Sequence, residues 1–181
     1  MRPRRPLTML LLLLAAVALT AFAAGCGDDE ETDVSEGEAL ILDGMTYNIQ
    51  DTRALNPYSS EDSAYLDGAP KLQHGQQYLA VFMKIDNDGD EPNVVPRPFR
   101  VVDTRGTIYD QVPVDNPFAL EPGTPVLPDE SVPGPETAAA NGPIKGSMIL
   151  FVINQDANEN RPLLLQVPGG PEGVGTIELD L

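Results

Sequence analysis

Residues 77–86 read Gln-Tyr-Leu-Ala-Val-Phe-Met-Lys-Ile-Asp, and their alternation decides the fold. On an extended chain successive side chains point to opposite faces. Leu79, Val81, Met83 and Ile85 therefore share one face, and Tyr78, Ala80, Phe82 and Lys84 share the other. The run stops at Asn87-Asp88-Gly89-Asp90, a string of turn formers. A second run over 146–154 carries Met148-Ile149-Leu150-Phe151-Val152-Ile153 and is apolar on both faces, as a central strand would be.

Working outward, shorter runs repeat the same grammar. Leu40 to Leu42 and Met45 to Gln50 are split by Asp43-Gly44. Phe99 to Asp103 and Thr107 to Asp110 flank Thr104-Arg105-Gly106, the spacing of a hairpin. Leu163 to Val167 and Thr176 to Leu181 close the chain. Helical periodicity is nearly absent after residue 39, apart from one possible turn at Thr137 to Ala140. About seven strands over 39–181 predict an all-β, antiparallel β-sandwich. Two loops are long: Arg53 to Gly75, and Gln111 to Pro143 with eight prolines. Proline cannot donate to a ladder, so the second is not central strand.

The order YLAVFMKIDNDGDEP, FRVVDTRGTIYD, a proline-glycine loop and KGSMILFVI resembles the telokin-like, immunoglobulin-like domain of secreted bacterial proteins. The matching positions are Asn87, Gly89 and Asp90, then Phe99, Val101, Asp103, Gly106 and Tyr109, then Gly146 and Phe151. The resemblance spans about Gln76 to Val167. It implies an immunoglobulin-like sandwich in an extracytoplasmic compartment, and no catalytic residues. The proline loop is longer than that pattern needs, and the Cys, Trp and Cys of true immunoglobulin domains are absent.

The first segment reads as an address. Arg2, Arg4 and Arg5 precede an apolar run to Ala24, followed by Gly25 and Cys26. A basic start, an apolar centre and small residues before a cut describe a secretory signal over 1–25. Ala23-Ala24-Gly25-Cys26 resembles a bacterial lipobox, although that family prefers Leu where Ala23 stands. The resemblance implies that Cys26 is the lipidated N-terminus, held in the outer face of the cell membrane by its acyl chains. Two chains suffice for stable anchoring where one is marginal. An ordinary cleavage after Ala24 or a single membrane anchor are the alternatives.

Residues 27–38 hold seven acids in twelve positions, which with Cys26 predicts a disordered linker over 26–38. The whole chain carries a net charge of -17. Without the signal it would be -20, and about -13 from Ala39 onward, as counted from the sequence. This excludes nucleic acid as a partner, because phosphate binding needs clustered Lys and Arg. It also leaves acyl chains, and not the protein face, to hold anionic lipid. One Cys excludes an internal disulfide, and one His excludes multi-His metal centres.

Candidate chemistry is sparse. Asp86, Asp88 and Asp90 alternate and could converge on Ca²⁺, which takes several oxygens. An EF-hand would need Gly where Glu91 stands and an acid where Arg97 stands, and a solvated acidic turn explains the same residues. His74 sits in a predicted loop, and no Gly-x-Ser-x-Gly or Ser-x-x-Lys occurs. The absence of Trp argues against a sugar-cleaving cleft, although carboxylates are plentiful. Tyr58 and Tyr65, in the first long loop, are candidate partner-binding residues, or else simply cover the end of the sandwich. The expectation is a non-enzymatic, lipid-anchored surface protein binding a protein or ligand. A small-molecule or calcium-binding envelope lipoprotein is the alternative.

Overall fold

The computed structural model describes residues 32–170 and 173–181. The decisive run forms β4 (Gln76–Asn87), the longest strand, at about 40 Å by its residue count. It pairs antiparallel with β10 (Ser147–Asn154) on one side and with β3 (Met45–Leu55) on the other. Both central runs form strands because their apolar side chains find cover on both faces.

Every expected run is a strand, but twelve strands exist among the described residues where about seven were expected. The first two runs form β2 (Leu40–Leu42) and β3, joined by the turn at Asp43 and Gly44. Four more are two or three residues long: β1 (Asp33–Ser35), β5 (Asn93–Val94), β8 (Pro125–Val126) and β9 (Ser131–Val132). β5 pairs with β8, and β9 adds to β4 at Ile85 and Asp86, so even the proline loop contributes edge pairing. Among the described residues, helical structure is confined to a 3-10 segment at Gln155–Glu159 and the turn α1 (Ala138–Asn141), capped by the Thr137 hydroxyl accepting from the Ala140 N–H.

One sheet half runs β1, β12 (Val174–Leu179), β11 (Leu163–Pro168), β6 (Arg100–Val102), β7 (Ile108–Val112). The other runs β7, β10, β4, β3, β2. β7 belongs to both: Tyr109 pairs with Val101 of β6, whereas Val112 pairs with Leu150 of β10. The two halves fold face to face on a main core that includes Leu79, Val81, Met83, Ile85, Phe99, Ile149 and Phe151. Phe82, Phe99 and Phe151 are inaccessible to solvent. Burial of such a side chain stabilises by roughly 1.5–3 kcal/mol.

The expected disordered linker is corrected at its end. Asp33–Ser35 pairs in parallel with β12, and Val34, the one aliphatic residue of that stretch, is buried in the main core. One apolar side chain plus a free sheet edge outweighs the acidic composition around it.

The second face of β4 is covered too. Tyr78, Ala80 and Phe82 join Leu55, Tyr65, Met148 and Leu150 in a separate core. Leu66 and Leu72 from one long loop pack against it, as do Val114 and Phe118 from the other and Ile144 just beyond it. The loops are thus a third layer. A β-bulge between Ile49 and Asp51 makes this possible. The extra residue reverses which face alternate side chains take. Tyr47 and Ile49 enter the main core, whereas Leu55 enters the second.

Gly146 starts β10 for a steric reason. Its φ is +108°, and a Cβ there would lie 2.9 Å from the Met83 nitrogen of β4. Only glycine allows the chain to enter the ladder so close to its neighbour.

Candidate functional site

The strand directions give the molecule two distinct ends. At one end the Asp43 carboxylate accepts from the Gly170 N–H at 2.8 Å, and Gly44 lies against Gly89. At the other, the Gln155 N–H donates to Gly75 (2.8 Å), and the Thr104 N–H donates to Asn160 (3.1 Å). β1 runs parallel to β12, from Asp33 opposite Thr176 to Ser35 opposite Glu178, toward this second end. Thr32 therefore lies on the side of the first end, where it accepts from the Thr176 N–H at 2.7 Å.

The second end carries a groove of about 660 Å³, between the end of β3, the 71–77 segment and Gln155. Tyr58 stands on its rim with 96% of its surface exposed. The loop is held by Asp62, a buried carboxylate that accepts from Arg53 (2.7 Å) and from the Asn56 N–H (2.9 Å). Asn56 in turn accepts from the Tyr58 N–H at 3.0 Å, so the tyrosine projects from a braced turn. Below it the Tyr78 hydroxyl donates to Pro70 at 2.5 Å.

The groove wall is rich in amides. The Gln73 N–H donates to Gln76 Oε1 (2.8 Å), and Gln155 Nε2 donates to the Gln76 carbonyl (3.4 Å). These bonds leave the side chain of Gln73, the NH₂ of Gln76 and the NH₂ of Asn56 without a partner among the described residues. Lys71 and His74, both exposed, complete the lining, and no Asp or Glu contributes to it.

A larger groove, about 790 Å³, lies beside β9 and α1. It holds Lys84 and Lys145 but also Asp129 and Glu130. Lys84 is already paired with Asp86 at 2.6 Å. Its charges largely cancel within the protein.

Of the two candidate tyrosines, Tyr58 alone is exposed. Tyr65 is a correction: it is 3% exposed and belongs to the second core. Its ring meets Phe82 edge-on at 5.2 Å and Phe118 at 4.6 Å. Two residues of its loop, Leu66 and Ala69, pack beside it, and burial of the ring outweighs any use as a contact surface.

The candidate calcium ligands do not converge. Asp86 accepts from Ser131 Oγ at 2.5 Å as well as from Lys84. Asp88 accepts from Thr46 Oγ1 at 2.5 Å, and Asp90 is exposed. No group of three or more His, Cys, Asp or Glu among the described residues is arranged to hold a metal ion. The organising residue of the turn is Asn87, which stands among the acids but holds the turn itself. Its buried amide donates to Val126 (2.8 Å) and Glu91 (3.0 Å) and accepts from the Gly89 N–H (3.1 Å).

The Asp103–Gly106–Tyr109 motif is likewise architectural. The Asp103 carboxylate accepts from the N–H groups of Arg105 (2.9 Å) and Thr107 (2.8 Å), and more distantly from the Tyr109 hydroxyl (3.4 Å). Burial opposes its ionisation, but the hydrogen bonds from Thr107 and Arg105 and the Arg105 charge prevail and lower its pKa.

Cys26, the lipidation candidate, and the signal over 1–25 lie outside the described residues. No helix among the described residues is long and apolar enough to cross a membrane.

Neither the family models nor the curated proteins contain a match to this chain. Solved structures do match. The yjhA protein from Bacillus subtilis aligns at a TM-score of 0.54 and 10% identity, over 81% of this chain and 99% of that one. The ycdA protein of Bacillus subtilis, described as a "putative lipoprotein", aligns at 0.50 and 16% identity, over 78% of this chain and 38% of that one. An uncharacterized beta-sandwich protein (CD630_09570) from Clostridium difficile covers 82% of this chain and 93% of its own at 15% identity, with a TM-score of 0.45. At such identities the likeness to the yjhA and ycdA proteins is one of fold alone.

Proposed function

We propose that the chain is a lipid-anchored, non-enzymatic binding module on the outer face of a bacterial cell membrane. In this reading acyl chains on Cys26 hold it, and an immunoglobulin-like sandwich presents the groove beside Tyr58 to a ligand or protein beyond the membrane. One observation carries the reading: the chain enters the sandwich from the end opposite that groove. A tether attached there would turn the braced loop, its exposed tyrosine and its unpaired amides outward. The acidic surface fits the same arrangement, since it keeps the domain off anionic headgroups.

Single-cysteine labelling tests this. With Cys26 acylated, Tyr58→Cys and Asp90→Cys each supply the one free thiol at opposite ends of the sandwich. A membrane-impermeant maleimide dye should label both on intact cells. A lipid-dwelling quencher should dim the dye at position 90 much more than at position 58. Equal quenching, or the reverse order, overturns the outward orientation. Cys26→Ala should release the protein from membranes, and full retention of that variant overturns the anchor.

A further inference from the structure

We infer that the groove beside Tyr58 binds a hydroxyl-rich carbohydrate segment that carries an acidic group. The inference rests on the proposal that this outward groove is the binding site, and it names the ligand class. The first argument is charge. The chain holds 28 acids against 11 bases, yet none of the residues lining this groove is Asp or Glu. Lys71, one of three lysines in the sequence, and His74, the single histidine, both line it. Lys71 has no ion-pair partner among the described residues; in the larger groove Lys84 is paired with Asp86, and Lys145, also without an ion pair, shares its lining with Asp129 and Glu130. An anion approaching this protein thus finds here a cation that no carboxylate cancels.

The second argument is hydrogen bonding. A primary amide offers donors and an acceptor in one plane, which suits hydroxyls that both donate and accept. The unpaired side chain of Gln73 and the NH₂ groups of Gln76 and Asn56 supply such groups along one wall. The third is the ring. Tyr58 offers a broad face that loses little conformational freedom on contact, and the Asn56 turn fixes where it stands. An acidic peptide would satisfy Lys71 but offers few hydroxyls to those amides. A neutral glycan would leave the cation unused.

The test is a calorimetric titration of the full chain, purified in neutral detergent, with hexagalacturonate. Maltohexaose and hexaglutamate are the controls. Saturable binding of hexagalacturonate is expected, weakening as salt rises. Tyr58→Ala and Lys71→Ala should each weaken it about tenfold or more. Both residues are exposed, so unfolding scans of these variants should match the parent. Equal affinity for maltohexaose overturns the acidic requirement, and equal affinity for hexaglutamate overturns the carbohydrate class. Absence of binding by either sugar overturns the inference outright. The orientation of the anchored domain is read separately, by quenching at positions 58 and 90.

Discussion

Tyr65 and Phe118 stand 53 residues apart in the sequence, yet their ring centroids lie 4.6 Å from each other. That contact joins the two long loops on the outer face of β4. Asn116 Nδ2 adds hydrogen bonds to the Tyr65 carbonyl (2.9 Å) and the Asp67 carbonyl (3.2 Å). The groove beside Tyr58 is therefore framed by a loop that is itself packed.

Tyr65→Ala should cost about 3 kcal/mol in urea unfolding, as truncation of a buried aromatic does. Tyr65→Phe should cost less than about 1 kcal/mol, since the hydroxyl's contact with the Ile144 N–H is long at 3.4 Å. A double-mutant cycle with Phe118→Ala should return a coupling of about 1 kcal/mol. A cost within about 0.5 kcal/mol for Tyr65→Ala would mean that the third layer is not packed in solution.

The sequence made one half of this arrangement legible. The alternation in 77–86 and the apolar run in 146–154 mark the central strands, and the hairpin at Gly106 follows from its spacing. The second core was written there too, in Tyr78, Ala80 and Phe82, but its cover was not. Leu66, Leu72, Val114, Phe118 and Ile144 follow no period, because they come from irregular backbone that packs as a layer. In the sequence Tyr65 accordingly reads as either a contact residue or a cover for the sandwich, and only its folded-back loop shows that it is buried. The strand at Asp33–Ser35 is hidden for a different reason: its pairing with β12 spans more than 140 residues, and its composition favours disorder. The groove leaves only Tyr58 and His74 as sequence signals, since its amides are assembled from Asn56 just after β3, the 71–77 segment and Gln155.

Asp103 gives a pH-dependent prediction. Its folded pKa lies below the ordinary carboxyl value. A group depressed in this way contributes stability above its unfolded pKa, about 3.9, and the contribution is lost as pH falls through the folded pKa. Asp103→Asn should therefore destabilise by an amount that is constant above about pH 5 and shrinks as the parent protonates. At neutral pH the loss should be about 2 kcal/mol, as the N–H groups of Arg105 and Thr107 lose a charged acceptor. Unfolding free energies of both proteins between pH 2 and 7 check this. A gap that widens on acidification would contradict it.

Calcium should not matter to the acidic turn. Asp86 is engaged by Lys84 and Ser131, and Asp88 by Thr46. A ligand at a hundredfold excess over its Kd would stabilise by about 2.7 kcal/mol. Thermal unfolding with millimolar Ca²⁺ and with EDTA should instead coincide. Asp88→Asn should be within about 0.5 kcal/mol of the parent. Asn87→Ala should cost about 2 kcal/mol, because it strands the buried Val126 carbonyl and removes the bonds to Glu91 and from Gly89. A calcium-dependent rise abolished by Asp88→Asn would restore the metal site.

Thr52 supplies a prediction of the opposite sign. The bulge in β3 turns it to the face of Val81, in the main core, where it is 9% exposed. Its Oγ1 has no hydrogen-bond partner among the described residues. A buried hydroxyl without a partner carries a desolvation cost of roughly 1–3 kcal/mol. Valine keeps the branched shape, suits a strand at least as well, and removes that cost. Thr52→Val should stabilise by about 1 kcal/mol, seen as a higher urea midpoint at unchanged slope. Thr52→Ser keeps the hydroxyl and loses a buried methyl, so it should destabilise by about 1 kcal/mol. If both substitutions destabilise, the hydroxyl is bonded in solution, and the inner face of β3 beyond the bulge admits a water molecule.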